Sequence, residues 1–290
     1  MTWRIVVISS RAKLDLRLNT LVVRGEQSAK IHLGEIALLM IENTAVSLTA
    51  ALIAELSKRK IKVIFCDEKC NPCCETVPYY GSHDTSAKIK DQIKWRQETK
   101  LLLWSEIVAE KIRKQRDLLK LLDKAESAML DSYIQQIRPG DTTNREGHAA
   151  KVYFNAIFGM DFTRTADSFI NAALNYGYTV LLAAFNREIV ANGYLTQLGL
   201  FHDNMFNYFN LSSDLIEPFR PLIDKTVLKM PLEQFEHQEK LQLLAVLNQS
   251  VYIDGKQHYV NNAIKYYCRS IFDALNNDDV GLLRFYRNEL

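Results

Sequence analysis

The spacing of apolar residues changes character once along this chain. Up to about position 67 they come in short runs and alternations; beyond position 86 they recur every three or four residues to the end. Residues 5–8 form a short apolar run, and 13–18 alternate with the two-residue period of a half-buried strand. Residues 21–23 follow an Asn19-Thr20 turn, and 36–41 form a second buried run. Residues 48–59 have helical spacing, with Ser47 as the expected N-cap and Lys58-Arg59-Lys60 favourable at the C-terminal end. Residues 62–66 return to strand.

Between 67 and 86 the periodicity stops, and Asn71-Pro72, Pro78 and Gly81-Ser82-His83-Asp84 are loop chemistry. The expectation is an α+β protein: a small β-rich domain at 1–80, a linker at 81–86 and a large all-α domain at 87–290. Helices are expected at 86–106, 107–136, 144–159, 165–191, 214–229, 232–249 and 257–275. In the fourth of these, Phe169, Ala172, Ala173, Tyr176, Val180, Leu181, Ala184 and Phe185 leave no wide polar face. Such a helix belongs in the middle of a domain. It should end at Asn192-Gly193, a dipeptide suited to a left-handed cap.

Composition narrows the class. Hydrophobic content of 48% with 24% charged residues describes a globular chain, long enough at 290 residues for a substantial core. No apolar run approaches the roughly 20 residues that span a bilayer. MTWRIVVISSR lacks the apolar core of a signal peptide, and five cysteines, an odd count, fit a reducing interior. A cytoplasmic protein without membrane contact is expected. The net charge of +2 hides local clustering: residues 88–124 carry eleven basic side chains against six acidic ones. That stretch reads either as a solvated helix face or as a ridge tracking a DNA backbone.

Candidate chemistry lies at four places. Glu146 follows Thr143 by three residues at a helix start, the spacing of a capping box. His202 follows Gly199 and Phe201 on an apolar segment, where a lone histidine is commonly a core residue. Asp214 and Glu217, three apart, share a helical face, so both carboxylates could point at one centre. Their bland reading is a second cap ahead of Pro218. Carboxylates with one imidazole suit Mg²⁺ or Mn²⁺, whereas zinc would call for thiolates or several histidines. Arg220 is placed for a phosphate contact or an ion pair with these acids. Cys66, Cys70, Cys73 and Cys74 include one C-x-x-C and read as free loop thiols or a crowded zinc site.

Three of these blocks, with one further upstream segment, carry a resemblance. Asn144-Arg145-Glu146-Gly147 with Ala149-Ala150 and Tyr153-Phe154, then Leu174-Asn175-Tyr176-Gly177-Tyr178, Gly199-Leu200-Phe201-His202 and Asp214-Leu215-Ile216-Glu217-Pro218-Phe219-Arg220 occur in order. The chain thereby resembles the CRISPR adaptation integrases, the catalytic subunits of spacer-acquisition complexes, and is most similar to their type II-A branch. The resemblance implies that Glu146, His202 and Glu217 are catalytic ligands of Mg²⁺ or Mn²⁺, with Asp214 and Arg220 accessory. It implies a metal-dependent integrase and endonuclease acting on double-stranded and branched DNA, in which a free 3′-hydroxyl attacks a phosphodiester at a CRISPR repeat end. Transesterification needs no ATP, in keeping with a chain that has no G-x-x-x-x-G-K-[ST] loop. It further implies a homodimer formed through the β-rich domain, two of which flank a small ferredoxin-like subunit in a heterohexamer. For the type II-A branch the interference nuclease and a DNA-end-binding ring protein are implied partners.

Two other readings stand beside this one. His202-Asp203 in a helical region invites a metal-dependent phosphohydrolase with His148 or Asp224 as further ligands. Alternatively, the acids only cap helices and the chain is a non-catalytic DNA-binding scaffold.

Overall fold

A computed structural model describes residues 4–26, 28–231 and 233–287. Positions 1–3 and 27 of the expected β-rich domain, and 232, where one helix is expected to start, and 288–290 of the expected all-α domain, lie outside them. The strand-rich region comes first: β1 (Arg4–Ile8), β2 (Lys13–Arg17), β3 (Thr20–Arg24), β4 (Ser28–His32), β5 (Ile36–Ile41), β6 (Ser47–Leu48), α1 (Ala50–Lys58), β7 (Lys62–Cys66) and β8 (Pro72–Glu75). One sheet runs β4-β3-β2-β6 and the other β1-β5-β7-β8, with β1, β5 and β7 parallel.

The apolar run of β5 is explained by its position: all six residues are buried, because both faces are covered. Ile36, Leu39 and Ile41 join Leu14, Leu21, Leu52 and Leu56 in a core between the two sheets and α1. Leu38 and Met40 face the other way, into the helical core. The alternation therefore survives inside a continuous apolar stretch, with each face serving a different core. Thr49 rather than Ser47 caps α1, its hydroxyl accepting the Leu52 amide; Ser47 is instead paired with β2 as part of β6.

The helical region holds α2 (Thr85–Lys94), α3 (Gln97–Leu121), α4 (Ser127–Gln135), α5 (Arg145–Phe158), α6 (Phe169–Ala191), α7 (Asn210–Leu215), α8 (Arg220–Leu228) and α9 (His237–Leu244). A hairpin, β9 (Ser250–Ile253) and β10 (Lys256–Tyr259), leads into α10 (Val260–Asn277). The expected break at 106/107 is absent. The chain turns instead at Trp95-Arg96 and again at 122–126, leaving α3 as one 25-residue helix. β8 lies within the stretch expected to be loop only.

The helix expected to be central is so. α6 packs on α8, α9, α10, β7 and β8, and Asn192 ends it ahead of Gly193 at φ +87. Its contacts reach the sheet: Tyr176 Oη lies 3.3 Å from Met40 Sδ, and Asn186 donates to Glu75 at 3.0 Å. Gly177 permits the crossing of α6 over α8, since a Cβ there would sit 2.4 Å from Ile223 Cγ2. Among the described residues no helix is long and apolar enough to cross a membrane.

Candidate active site

The site is assembled along the buried stripe of α3. Leu103, Trp104, Ile107, Val108, Ile112 and Gln115 fill that stripe, and Lys111 sits among them with 6% of its surface exposed. A lysine is carried that deep only when its charge is paired. Its Nζ contacts Glu146 Oε1 and Glu217 Oε2 together.

Glu146 arrives from the first turn of α5. The capping-box reading fails there, because Asn144 and not Thr143 is the cap, in a left-handed conformation at φ +50. The buried Asp141 accepts the Arg145 and Glu146 amides, both at 2.9 Å, and Asn144 Oδ1 accepts the Gly147 amide. With the helix start served by those two residues, the Glu146 carboxylate is free to meet Lys111.

Glu217 opens a short 3₁₀ turn, Glu217–Phe219, between α7 and α8. Arg220 Nε donates to its Oε1 at 2.8 Å, and the guanidinium lies 4.5 Å from the Tyr178 ring. Arg220 is thus an ion-pair partner of Glu217. The other oxygen, Oε2, touches Lys111 but takes no well-directed hydrogen bond. Burial opposes ionisation of Glu217, yet the charges of Arg220 and Lys111 outweigh it and hold the carboxyl below its usual range. Burial likewise works against the Lys111 charge, and Glu217 and Glu146 overcome it, raising the ammonium's pKa. Both groups stay charged.

His202 is placed by Asp214. This carboxylate, fully buried on α7, accepts the amides of Leu200 at 2.6 Å, Phe201 at 3.1 Å and His202 at 3.1 Å, and lies 2.6 Å from His202 Nδ1. Gly199 makes the approach possible: a Cβ would fall 2.3 Å from the His202 carbonyl oxygen and 2.8 Å from Asp214 Oδ2. An ionised carboxylate can only accept, so the Nδ1 proton is fixed and Nε2 becomes the lone-pair donor of the neutral ring. The Asp214 hydrogen bond raises the His202 pKa against the effect of burial, with smaller contributions from Glu217 and Glu146. Trp104 packs edge-on against the ring at 5.7 Å and stacks on Phe201 at 4.6 Å.

Asp214 and Glu217 do not aim at one centre as their spacing led us to expect. The turn between α7 and Glu217 sends Asp214 into the 199–202 loop and Glu217 toward Lys111. What the fold does bring together is Glu146 and Glu217 on one ammonium, with His202 near enough for both to act on its charge. The side chains of His202 and Glu146 are 42% and 30% exposed, so the cluster meets solvent on their side.

The donor set fits a hard divalent cation: two carboxylates, one without a directed partner, and an imidazole with its Nδ1 pinned by a carboxylate. As the side chains stand, however, no three His, Cys, Asp or Glu residues among those described are close enough to cage a metal. Lys111 lies between the two glutamates.

The phosphohydrolase set is not gathered. Asp203 is exposed, His148 lies beside Arg145 and Tyr133, and Asp224 is buried on the hydroxyls of Tyr153 and Tyr178. Part of the basic stretch is consumed internally: Arg113 pairs with Glu110, Arg116 and Lys120 with Asp131, and Lys114 donates to the Tyr286 carbonyl. Lys111 and Trp104 were not singled out for the site from the sequence, and Asp224 only as a ligand in the phosphohydrolase reading. A lysine on the apolar face of a helix was the one signal available.

Over 97% of this chain and 92% of the other, the fold superposes on that of a casposase bound to integration product, with a TM-score of 0.78 at 18% identity. Residues 5–241 match the family described as CRISPR associated protein Cas1, and the chain belongs to that family. It is 39% identical to the CRISPR-associated endonuclease Cas1 of Neisseria meningitidis serogroup C (strain 8013) over 232 residues, 79% of this chain and 76% of that protein. A Cas6-RT-Cas1–Cas2 complex contains a similar fold, with a TM-score of 0.74 at 15% identity over 99% of this chain and 36% of the other.

Proposed function

We propose that this Cas1 protein is a divalent-metal-dependent DNA integrase and endonuclease that joins the 3′-hydroxyl of captured DNA to a CRISPR repeat by transesterification. The observation that carries the reading is the meeting of Glu146 and Glu217 at one point beside a His202 ring whose tautomer is set by Asp214. The name of the Neisseria relative, an endonuclease, and the integration product held by the casposase support it.

Glu146, His202 Nε2 and Glu217 would hold Mg²⁺ or Mn²⁺, which when bound lowers the pKa of an attacking hydroxyl and offsets charge on the phosphorus transition state. The protein's own contribution is positional. Asp214 orients the imidazole, Arg220 keeps Glu217 ionised, and Trp104 packs edge-on against the ring. Double-stranded and branched DNA are the substrates we infer. The partners are a second copy of the chain, joined through the strand-rich region, and a Cas2-like subunit such as the one named in the Cas6-RT-Cas1–Cas2 complex. A half-site integration assay with Mn²⁺ or Mg²⁺ and the small subunit tests this. Wild type should join labelled 3′ ends to a repeat and Glu217→Ala should not, while retaining its fold and its metal-free DNA binding. Equal joining by both would remove Glu217 from the reaction, and no joining by wild type would leave the scaffold reading.

A further inference from the structure

Counting only the groups in direct ion pairs, the cluster is balanced without a metal. Glu146 and Glu217 bring two negative charges, and Lys111 and Arg220 bring two positive ones. Asp214 spends its charge on three backbone amides and the His202 ring. A dication placed between the two glutamates while Lys111 stays there would crowd positive charge at one largely buried point, which is costly in a weakly polar interior. Two changes relieve it: the Lys111 ammonium leaves the carboxylates, and an anion joins.

We propose that Lys111 is a built-in counter-ion that occupies the cation position between Glu146 and Glu217 until a DNA phosphate arrives, so that metal and DNA bind cooperatively. The inference rests on the metal-site reading above and adds what regulates that site. Lysine suits the role better than arginine. Its ammonium is a compact charge on a flexible four-carbon stem, able to sit between two carboxylates and then swing to a nearby phosphate. Each phosphodiester delivers one negative charge, which both screens the incoming dication and gives the displaced ammonium a new partner. Because linkage is reciprocal, the metal must tighten DNA binding by the same factor by which DNA tightens metal binding.

The test is Mn²⁺ titration of the intact protein, followed by calorimetry and by the EPR signal of free Mn²⁺, with and without duplex DNA carrying dideoxy 3′ ends that cannot react. Wild type should bind Mn²⁺ at least about tenfold more tightly when this DNA is present. Lys111→Met should bind Mn²⁺ at least about tenfold more tightly than wild type in the absence of DNA, and should lose most of the DNA effect. Lys111→Gln, neutral and polar, serves if the methionine variant does not fold. Equal Mn²⁺ affinity of wild type and the Lys111 variants without DNA, with binding abolished in Glu217→Ala, overturns the counter-ion role and leaves the site reading intact. Mn²⁺ binding that survives unchanged in Glu217→Ala overturns both.

Discussion

Asp214 holds His202 at two points, through the ring Nδ1 at 2.6 Å and the backbone amide at 3.1 Å. It also takes the two preceding amides, so one buried carboxylate fixes both the path of the 199–202 loop and the orientation of its imidazole. The ring could not be aimed without the loop being built first.

Replacing Asp214 should therefore damage stability and metal binding together. Asp214→Asn puts an amide N–H against donors that now face an oxygen, and the folded state should lose about 2–4 kcal/mol in urea denaturation. Mn²⁺ affinity should fall about 10- to 100-fold, the usual cost of losing a carboxylate behind a ligating histidine. A variant of unchanged stability would show that the four hydrogen bonds do not organise the loop.

Gly177 sets how closely α6 and α8 cross, and α8 begins with Arg220. Gly177→Ala places a Cβ 2.4 Å from Ile223 Cγ2. Overpacking should cost about 1–3 kcal/mol, partly offset by the better helix propensity of alanine, about 1 kcal/mol. A lower urea midpoint with an unchanged slope is the expected result; an increase in midpoint would mean that the crossing has room to spare.

Asp224 provides a pH signature. Burial raises its pKa to about 6, against the hydrogen bonds from Tyr178 and Tyr153 and the charges of Arg220 and Lys111. The folded protein then binds this proton more tightly than the unfolded chain does, so the group favours folding most at low pH. That contribution is lost as pH rises from about 4 through about 6, on the order of 3 kcal/mol for a fully buried group. Asp224→Asn should flatten this part of the stability profile, measured by denaturant unfolding at pH 4.5 and 7. An identical slope in wild type and variant would assign the dependence to other groups.

The carboxylates proposed as ligands should be separable from the fold. Glu146→Gln keeps a hydrogen-bond acceptor for Lys111 yet removes the charge, and half-site integration should drop by at least about a hundredfold. Circular dichroism and DNA binding measured without divalent metal at matched salt should stay near wild type. Activity within a few-fold of wild type would remove Glu146 from the reaction.

Much of this architecture can be read from the residues, and the failures have identifiable causes. The apolar run of β5 and the all-round apolar face of α6 are signals that tertiary structure does not overrule. The hairpin at 250–259 is missed, since 250–256 falls between two expected helices and 257–259 inside the second, although Asp254-Gly255, at φ +51 and +70, is a strong two-residue turn signal. Lys111 marks the deeper limit. Its place among Trp104, Val108 and Ile112 identifies it as a charge on a buried stripe, but its partners lie on α5 and at the start of α8. Only the assembled fold names them. The same holds for Asp214 and Glu217, whose shared helical face dissolves because the chain changes helix type between them.

Central to this account is one divalent cation shared by Glu146, His202 and Glu217. Anomalous diffraction at the manganese edge, from crystals of the protein with Mn²⁺ and dideoxy-ended DNA, addresses it most directly. The account predicts a single strong peak bonded to both carboxylates and to His202 Nε2, with the Lys111 ammonium moved onto a DNA phosphate. A peak bonded elsewhere, or Lys111 still seated between the two glutamates in a DNA-bound crystal saturated with Mn²⁺, would contradict it.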